Sequence, residues 1–495
     1  MKYTSCNLIP DTVNPSPDYY CTWQTQLYAT SDGKPEGQRA ILGEHALFGG
    51  EKPFGWAYFY PEARRDLIFV MDDSWDVPPD NDRSWYGSLL LNGEKFPEAA
   101  VSGDNGRSLR RLSDRIRSIG WKGLGGWVCA QESKHREISD REAYWTQCLQ
   151  EANIGALLYW KVDWGRRCLD ADFRRRLTEL GRIHAPRLTV EHAKIHEVLT
   201  CSDVFRTYDV PAIFSIPMTM EKLKQALLIG VTESGCVGLV NCEDEAYMAA
   251  AGGFAMGIMR HPFRGPLPNG RADMSFPSVH RDLKTKMCEV LRAVRWHRIA
   301  PAFAVDCRYT RVSALALTDT WRFDDRASEM EEWWFSMPLI GEKLVGDTVT
   351  VTAPAAIARN CGLPCVEADG EGEMPYVIAS RNPNGAFSVA TLGRTRERRY
   401  WIPRCRVSAE IGDAVTVSVF GEYAELILRT DGNAVSGVLA QDLASERAVD
   451  ITEEVRIEKD SIVIPGALIR AVGTSAQSAE DTSEPGLVLR IVRAS

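Results

Sequence analysis

Short apolar runs alternate with amphipathic stretches over the first three-fifths of the chain. Leu67–Met71, Gly123–Cys129, Ala156–Val162, Arg187–Val190, Val198–Ser202 and Val237–Asn241 are apolar runs of strand length. Between them, Leu109, Leu112, Ile116 and Ile119 fall at helical spacing, and Gly120 follows as a stop. Phe173, Leu177 and Leu180 repeat the spacing ahead of Gly181, and Leu283–His297 predicts another helix. Such alternation predicts parallel strands joined by crossover helices. Over roughly 300 residues, a closed (β/α)8 TIM barrel is the economical way to bury them.

The pattern changes after about Thr310. Asp347–Thr352, Tyr376–Ser380, Phe387–Leu392, Ala414–Phe420, Ala424–Leu428, Ser461–Ile464 and Leu487–Val492 read as strands. Turn residues separate them, among them Asp431-Gly432 and Asn382-Pro383-Asn384-Gly385. Long helical patterns are absent, which predicts a C-terminal antiparallel β-sandwich. The expected division is a barrel over residues 1–310 and a sandwich over 311–495. Ala471–Pro485 is rich in Ser, Thr and acid and is expected to form an exposed loop before the last strand.

Composition narrows the function. The 495 residues are 44% hydrophobic, enough to bury a core, so disorder is excluded. The 58 Lys+Arg against 67 Asp+Glu leave a net charge of -9, which argues against a nucleic-acid partner. Met1–Asn14 lacks an apolar core flanked by basic residues, so no signal peptide is expected. The longest mostly apolar stretch, Tyr247–Met259, is too short to span a bilayer, so no membrane partner is expected either. The 13 Cys show no CxxC pairing, and Cys129, Cys242 and Cys288 sit in apolar runs. Buried free thiols in a reducing cytoplasm follow from that pattern. No metal is expected, because no zinc-ligand spacing is present. No cofactor is expected, because GxGxxG and P-loop sequences are absent. A GxSxG sequence is absent too.

Functional residues of a barrel sit where its strands end. Leu67–Met71 runs into Asp72-Asp73-Ser74-Trp75, and Leu157–Trp160 runs into Lys161-Val162-Asp163-Trp164. Leu188–Val190 ends at Glu191, and Val198–Ser202 runs into Asp203, with Asp209 beyond. Leu239–Asn241 precedes Glu243-Asp244-Glu245. Carboxylates beside aromatic rings suit a carbohydrate, since they accept hydrogen bonds from hydroxyls while a ring covers the sugar's apolar face. Two carboxylates can also cleave a glycosidic bond, one as nucleophile or base and one as acid. The plainer use of an Asp after a strand is to cap the next helix. His192 and His196, four apart beside Glu191, read as a surface helix start rather than a metal site. Trp333-Trp334 reads as packing between the domains rather than a sugar platform.

These residues resemble the α-galactosidase clan, glycoside hydrolase families 27 and 36. Tyr20-Cys21-Thr22-Trp23 resembles the family's first-strand tryptophan, and Met71-Asp72-Asp73-Ser74-Trp75 its "DD-x-W" signature. Lys95-Phe96-Pro97 and Gly123-Leu124-Gly125 follow in the family's order. Lys161-Val162-Asp163 is similar to its strand-four "K-x-D". Phe205-Arg206-Thr207-Tyr208-Asp209 is similar to the strand-six "W-R-T-x-x-D", one residue shorter, and Ser202-Asp203 resembles the "S-D" pair of family 36. Asn241-Cys242-Glu243-Asp244 and His261-Pro262-Phe263 fall where strands seven and eight would end. The likeness runs over about residues 15–265.

The resemblance implies roles. Asp163 would be the nucleophile of a retaining exo-acting α-glycosidase, and either Asp209 or Asp203 the acid/base. Lys161 would hydrogen-bond the sugar, and Asp72 and Asp73 would grip its 4- and 6-hydroxyls. Trp23 and Trp127 would wall the pocket, Glu191 would read the 2-substituent and Arg206 would help there. The implied partner is a small oligosaccharide or glycoside. The sandwich would stabilise the barrel or add contacts in a homo-oligomer. Two other readings stay open: a non-catalytic sugar-binding protein on a degenerate barrel, and a metal-dependent barrel enzyme.

Overall fold

The computed structural model describes residues 2–30, 35–49, 55–193, 196–206, 214–228, 237–242, 246–259, 286–322, 346–368, 372–397 and 399–494. Eight parallel strands close into a barrel. They are β1 (Tyr19–Cys21), β2 (Ile68–Met71), β3 (Gly123–Val128), β4 (Tyr159–Val162), β5 (Thr189–His192), β6 (Val204–Arg206), β7 (Val237–Cys242) and β8 (Ala255–Ile258). Tyr19 of β1 registers with Gly257 of β8, which closes the ring. Strands buried on both faces need apolar side chains on both, so β2 reads as an unbroken apolar run. Tyr19, Cys21, Ile68, Val70, Tyr159, Val204, Ala255 and Met259 pack together inside the barrel. Their neighbours Tyr20, Phe69, Met71, Trp160 and Val162 pack in the separate core outside it. Two glycines give the interior tyrosines room: a Cβ on Gly257 would meet Tyr19 Cζ at 2.8 Å, and one on Gly125 would meet Tyr159 Cβ at 2.7 Å.

Helices Asn105–Ser118, Arg141–Ile154 and Ala171–His184 cover the strands. Asp104, Asp140 and Asp170 cap them by accepting from Arg107, Ala143 and Phe173 amides. The capping role that an isolated Asp after a strand suggests is therefore filled by residues other than the site candidates. Two boundaries move. The helix expected over Leu283–His297 is Met287–Ile299 among the described residues. The run Val198–Ser202 is a 3-10 turn and bend, and the barrel strand there is Val204–Arg206. Strands β1 and β8 are read from sequence only as part of a motif and of a longer apolar stretch.

A nine-stranded and a five-stranded sheet, with two two-stranded sheets (Ala316–Arg322 with Thr348–Pro354, and Arg394–Arg396 with Arg399–Trp401), make up the described C-terminal region. Val377, Val389, Val417, Leu426, Ile462 and Leu489 are part of the apolar layer between the two larger sheets. The expectation of purely antiparallel sheets is corrected. Ala356–Arg359 pairs parallel to Tyr376–Arg381, Phe387–Leu392 to Thr416–Phe420, and Arg406–Gly412 to Glu425–Thr430. The partners in each pair are separated by a strand or excursion elsewhere, so the chain re-enters the sheet in its original direction. Lys2–Tyr3 adds an edge strand against Val449–Asp450. Helix Gly466–Gly473 takes the start of the segment expected to be loop.

The loop after that helix is exposed over much of its length, as expected, at Ser475, Ala476, Ser478, Ala479, Glu480 and Thr482, and its end also touches the barrel. Asp481 accepts from the Cys288 amide, and Ser483 Oγ from the Glu289 amide. Arg292 grips Asp442 with two bonds, 2.8 and 3.0 Å, and neither side chain is exposed. Arg359 donates to the carbonyls of Gly252, Gly253, Phe303 and Ala304. Ser380 and Ser388 both donate to the Ala251 carbonyl. The described cysteines are free thiols. No described helix is long and apolar enough to cross a membrane. Trp333 and Trp334 lie outside the described residues.

Candidate active site

Side chains two apart on a strand share a face, so Tyr159, Lys161 and Asp163 point the same way from β4. Register sets Trp127 beside Lys161 and Lys161 beside Glu191. The result is a polar layer at the end of the barrel where β2, β4 and β6 terminate. Lys161 Nζ lies 2.6 Å from Asp72 Oδ2, and both side chains are buried. Cys21 Sγ donates to the same oxygen at 2.8 Å. Burial alone would push the Lys161 ammonium down, but the negative charge of Asp72, with Cys21 and Tyr19, outweighs it and holds the group well above its ordinary range.

Asp163 follows β4 directly. Trp127 Nε1 donates to its Oδ2 at 3.2 Å, and Arg206 Nη2 lies 3.5 Å from the same oxygen. Its backbone is clamped from behind: Arg174 Nη2 donates to the Asp163 carbonyl at 2.7 Å and Nη1 to the Val162 carbonyl at 3.0 Å. Arg174 Nη1 also meets His192 Nδ1 at 3.1 Å, and Thr178 Oγ1 meets His192 Nε2. Burial and the neighbouring guanidinium push His192 well below its usual range, so the ring is neutral and accepts from Arg174. His192 is thus a buried strand residue, not part of a surface helix start.

Arg206 Nε donates to Glu191 Oε1 at 2.8 Å, and Tyr159 OH donates to Glu191 Oε2 at 2.7 Å. Burial raises the Glu191 carboxyl, against the lowering pull of Arg206 and Lys161. Trp127, Trp164 and Tyr86 form an aromatic wall beside Asp163, with ring centroids 4.9–6.0 Å apart. Trp23 opens helix Trp23–Ala29 and packs, half-buried, against the barrel interior.

Three candidates look different in the structure. Asp203 precedes β6, at the opposite end from the polar layer. Its carboxylate accepts from the Val190 amide and from Arg182. The corrected strand boundary therefore removes it from the site. Asp73 is buried and both its oxygens are engaged: Oδ2 by Arg39 Nε at 2.9 Å, Oδ1 by Ser74 Oγ at 2.7 Å. Burial raises its carboxyl, and Arg39 opposes the rise. Glu191 is fully buried and accepts from Tyr159 and Arg206. Asp209 lies outside the described residues, as do Glu243–Glu245 and His261–Phe263.

Sequence reasoning missed Cys21, Tyr159, Arg174 and Arg39. Arg174 lies between Arg175 and Phe173 on a helix whose other arginines face solvent, so nothing in the run marks it. Cys21 and Tyr159 alternate with outward residues on their strands, a pattern readable only once the inward face is known. Among the described residues no group of three or more His, Cys, Asp or Glu is arranged to hold a metal ion.

No family model matches the chain, and no curated protein matches it in sequence. Solved structures do. One is a family 27 β-L-arabinopyranosidase from Geobacillus stearothermophilus, 9% identical, covering 97% of each chain with a TM-score of 0.41. Another is α-galactosidase I from Mortierella vinacea, 12% identical over 70% of this chain and 95% of that one, TM-score 0.34. A cyclomaltodextrinase also matches, 10% identical over 69% of this chain and 76% of that one, TM-score 0.34.

Proposed function

We propose that this chain is a retaining exo-acting α-glycosidase, α-galactosidase-like in its site, that forms a covalent glycosyl-enzyme on Asp163. The observation that carries the reading is the setting of Asp163. It ends a barrel strand, accepts from Trp127 Nε1, faces Arg206 and stands two residues beyond the Lys161–Asp72 pair. A guanidinium beside a carboxylate favours the ionised, nucleophilic form. Asp72 and Lys161 would bind sugar hydroxyls, and Trp23, Trp127 and Trp164 would line the ring. Asp209, three positions past the last residue of β6, is the acid/base of this reading. It would protonate the leaving oxygen and then take a proton from water. Replacing Asp209 by Asn is expected to lower kcat on a poor leaving group by about a hundredfold or more, whereas Asp203→Asn leaves kcat near its native value. The reverse pattern would exchange their roles.

A second reading concerns the sugar. Asp73 already accepts from Arg39 and Ser74, so its grip on a 6-hydroxyl would be shared with them, and a pentopyranose such as a β-L-arabinopyranoside is the alternative to galactose. The test is a screen of nitrophenyl α-galactoside, α-N-acetylgalactosaminide, β-L-arabinopyranoside and α-glucoside, with the product anomer followed by NMR. One of the first three is expected to be cleaved with initial release of the retained anomer. Release of the inverted anomer would overturn the Asp163 assignment.

A further inference from the structure

Residues 86–89 form a tight corner in the loop that follows β2. The carbonyls of Tyr86, Gly87, Ser88 and Leu89 accept from Gln131, Tyr144, Arg136 and Asn105. Leu89 has a φ of 52°, a left-handed conformation that a leucine keeps only where its surroundings enforce it. Its amide donates to Asp76 Oδ2 at 3.0 Å, and Ser88 Oγ donates to the same oxygen at 3.4 Å. Tyr86 begins the corner and belongs to the aromatic wall beside Asp163. Its hydroxyl lies 3.0 Å from Ser74 Oγ, which donates to Asp73.

Asp76 differs from the carboxylates just before it. Asp72 and Asp73 meet Lys161 and Arg39 at 2.6 and 2.9 Å. Asp76 is 1% exposed, and among the described residues it makes no ion pair and its Oδ1 meets no hydrogen-bond donor. The charged or titratable groups around it are Asp73 and Lys95 on its own loop, Cys129 beyond β3, and Tyr144 and Cys148 on helix Arg141–Ile154. Lys95 gives its ammonium to the carbonyls of Arg39 and Ser74. Arg136 gives its guanidinium to Glu151 as well as to the corner. Burial raises the two thiols and the phenol, so they stay neutral. A buried carboxyl in such surroundings keeps its proton rather than its charge.

We infer that Asp76, as the neutral acid, is a positioning residue that tethers the 86–89 corner and with it Tyr86 of the aromatic wall, and that giving up its proton as the pH rises releases the corner. The inference does not depend on which bond the chain cleaves. Burial, with the charge of Asp73 added, pushes the Asp76 carboxyl up to about 7 against the pull of the Leu89 amide and Lys95. In an opened corner the carboxyl returns to its ordinary value of about 4. Between those two values opening releases a proton, so it becomes easier as the pH rises. Above about pH 7 the closed form is ionised too, and the gain levels off.

Hydrogen exchange read by mass spectrometry on a peptide spanning residues 86–91 tests this on the whole chain. Strand Tyr376–Arg381 is the reference that cancels the intrinsic pH dependence of exchange. In the native chain the ratio of the two rates is expected to climb about tenfold per pH unit between about pH 5 and about pH 6.5, then level off above about pH 7.5. Asp76→Asn keeps the shape and the acceptor for Leu89 without the charge, and should flatten that climb. Asp73→Asn removes the neighbouring carboxyl and should keep it. The infrared difference between the native chain and Asp76→Asn should show a protonated-carboxyl band at about pH 6 that is gone by about pH 9. A native ratio that stays level over this range, or an Asp76→Asn ratio that climbs like the native one, would overturn the inference. Should Asp76→Asn not fold, Asp73→Asn still decides: loss of the climb there would assign the proton to Asp73 and sink the role of Asp76.

Discussion

Asp163→Asn is expected to abolish turnover and leave the fold unchanged. The amide is isosteric with the carboxylate, and its oxygen can still accept from Trp127 Nε1. The backbone clamp of Arg174 on the Asp163 and Val162 carbonyls does not involve the side chain at all. Packing therefore survives. The chemistry does not, because a neutral amide cannot attack an anomeric carbon and form the glycosyl-enzyme. The loss in kcat should reach at least about a thousandfold, roughly 4 kcal/mol of barrier. The measurement is release of nitrophenol from whichever glycoside the native chain cleaves, beside a thermal melt of both proteins. Turnover near the native rate, with an intact melt, would remove Asp163 from the mechanism. Calorimetry on the same variant separates the alternative class. A sugar that binds the native chain and the variant equally, with no product from either, would identify a non-catalytic sugar-binding protein.

The second large effect lies far from the site. Arg292→Met should destabilise the protein by about 3–5 kcal/mol, because it strands Asp442 as a buried charge without its cation. Both partners have no exposed side-chain surface, and the pair joins barrel helix Met287–Ile299 to a strand of the nine-stranded sheet. Arg292 also reaches Tyr247 OH and the Glu484 carbonyl, so its loss loosens the interface loop as well. Urea or thermal unfolding checks the value. Replacing both partners, Arg292→Met with Asp442→Leu, should recover part of the loss, since the penalty comes from the unpaired charge rather than from the absent ion pair. A single variant within about 0.5 kcal/mol of native would mean that the stranded Asp442 charge carries no such cost.

The barrel was legible because its strands are buried on both faces, which leaves unbroken apolar runs ending in polar residues. Leu67–Met71 and Gly123–Cys129 are such runs. The sixth strand was misplaced for a physical reason. Val198–Leu199 is apolar because a 3-10 turn packs it under the neighbouring helix, and periodicity over four residues cannot separate that from a strand. That shift of a few residues moved Asp203 from one end of the barrel to the other. The polar layer was half legible. Asp72, Lys161 and Asp163 end their strands and follow a motif, whereas Tyr159, Cys21 and Arg174 join it through contacts between distant segments. Which carboxylates are already occupied, Asp73 by Arg39 and Glu191 by Arg206, is a property of the assembled pocket and leaves no mark in the chain.

The contacts around residues 251–253 bear on what can be separated. A helix ends with carbonyls that its own backbone cannot satisfy. Here helix Ala246–Gly252 has those of Ala251, Gly252 and Gly253 met by Ser380, Ser388 and Arg359, all from the second domain. The cap is supplied in trans, from more than a hundred residues downstream. The strand that closes the barrel, β8, begins three residues after that helix ends. An excised barrel would therefore lose the termination of its last helix and, with it, the footing of its closing strand. Lys2–Tyr3 of the nine-stranded sheet precedes the barrel in the chain, so barrel and sheets form one unit for truncation, transplantation or recombination, and any replacement sandwich must bring its own cation to the place of Arg359.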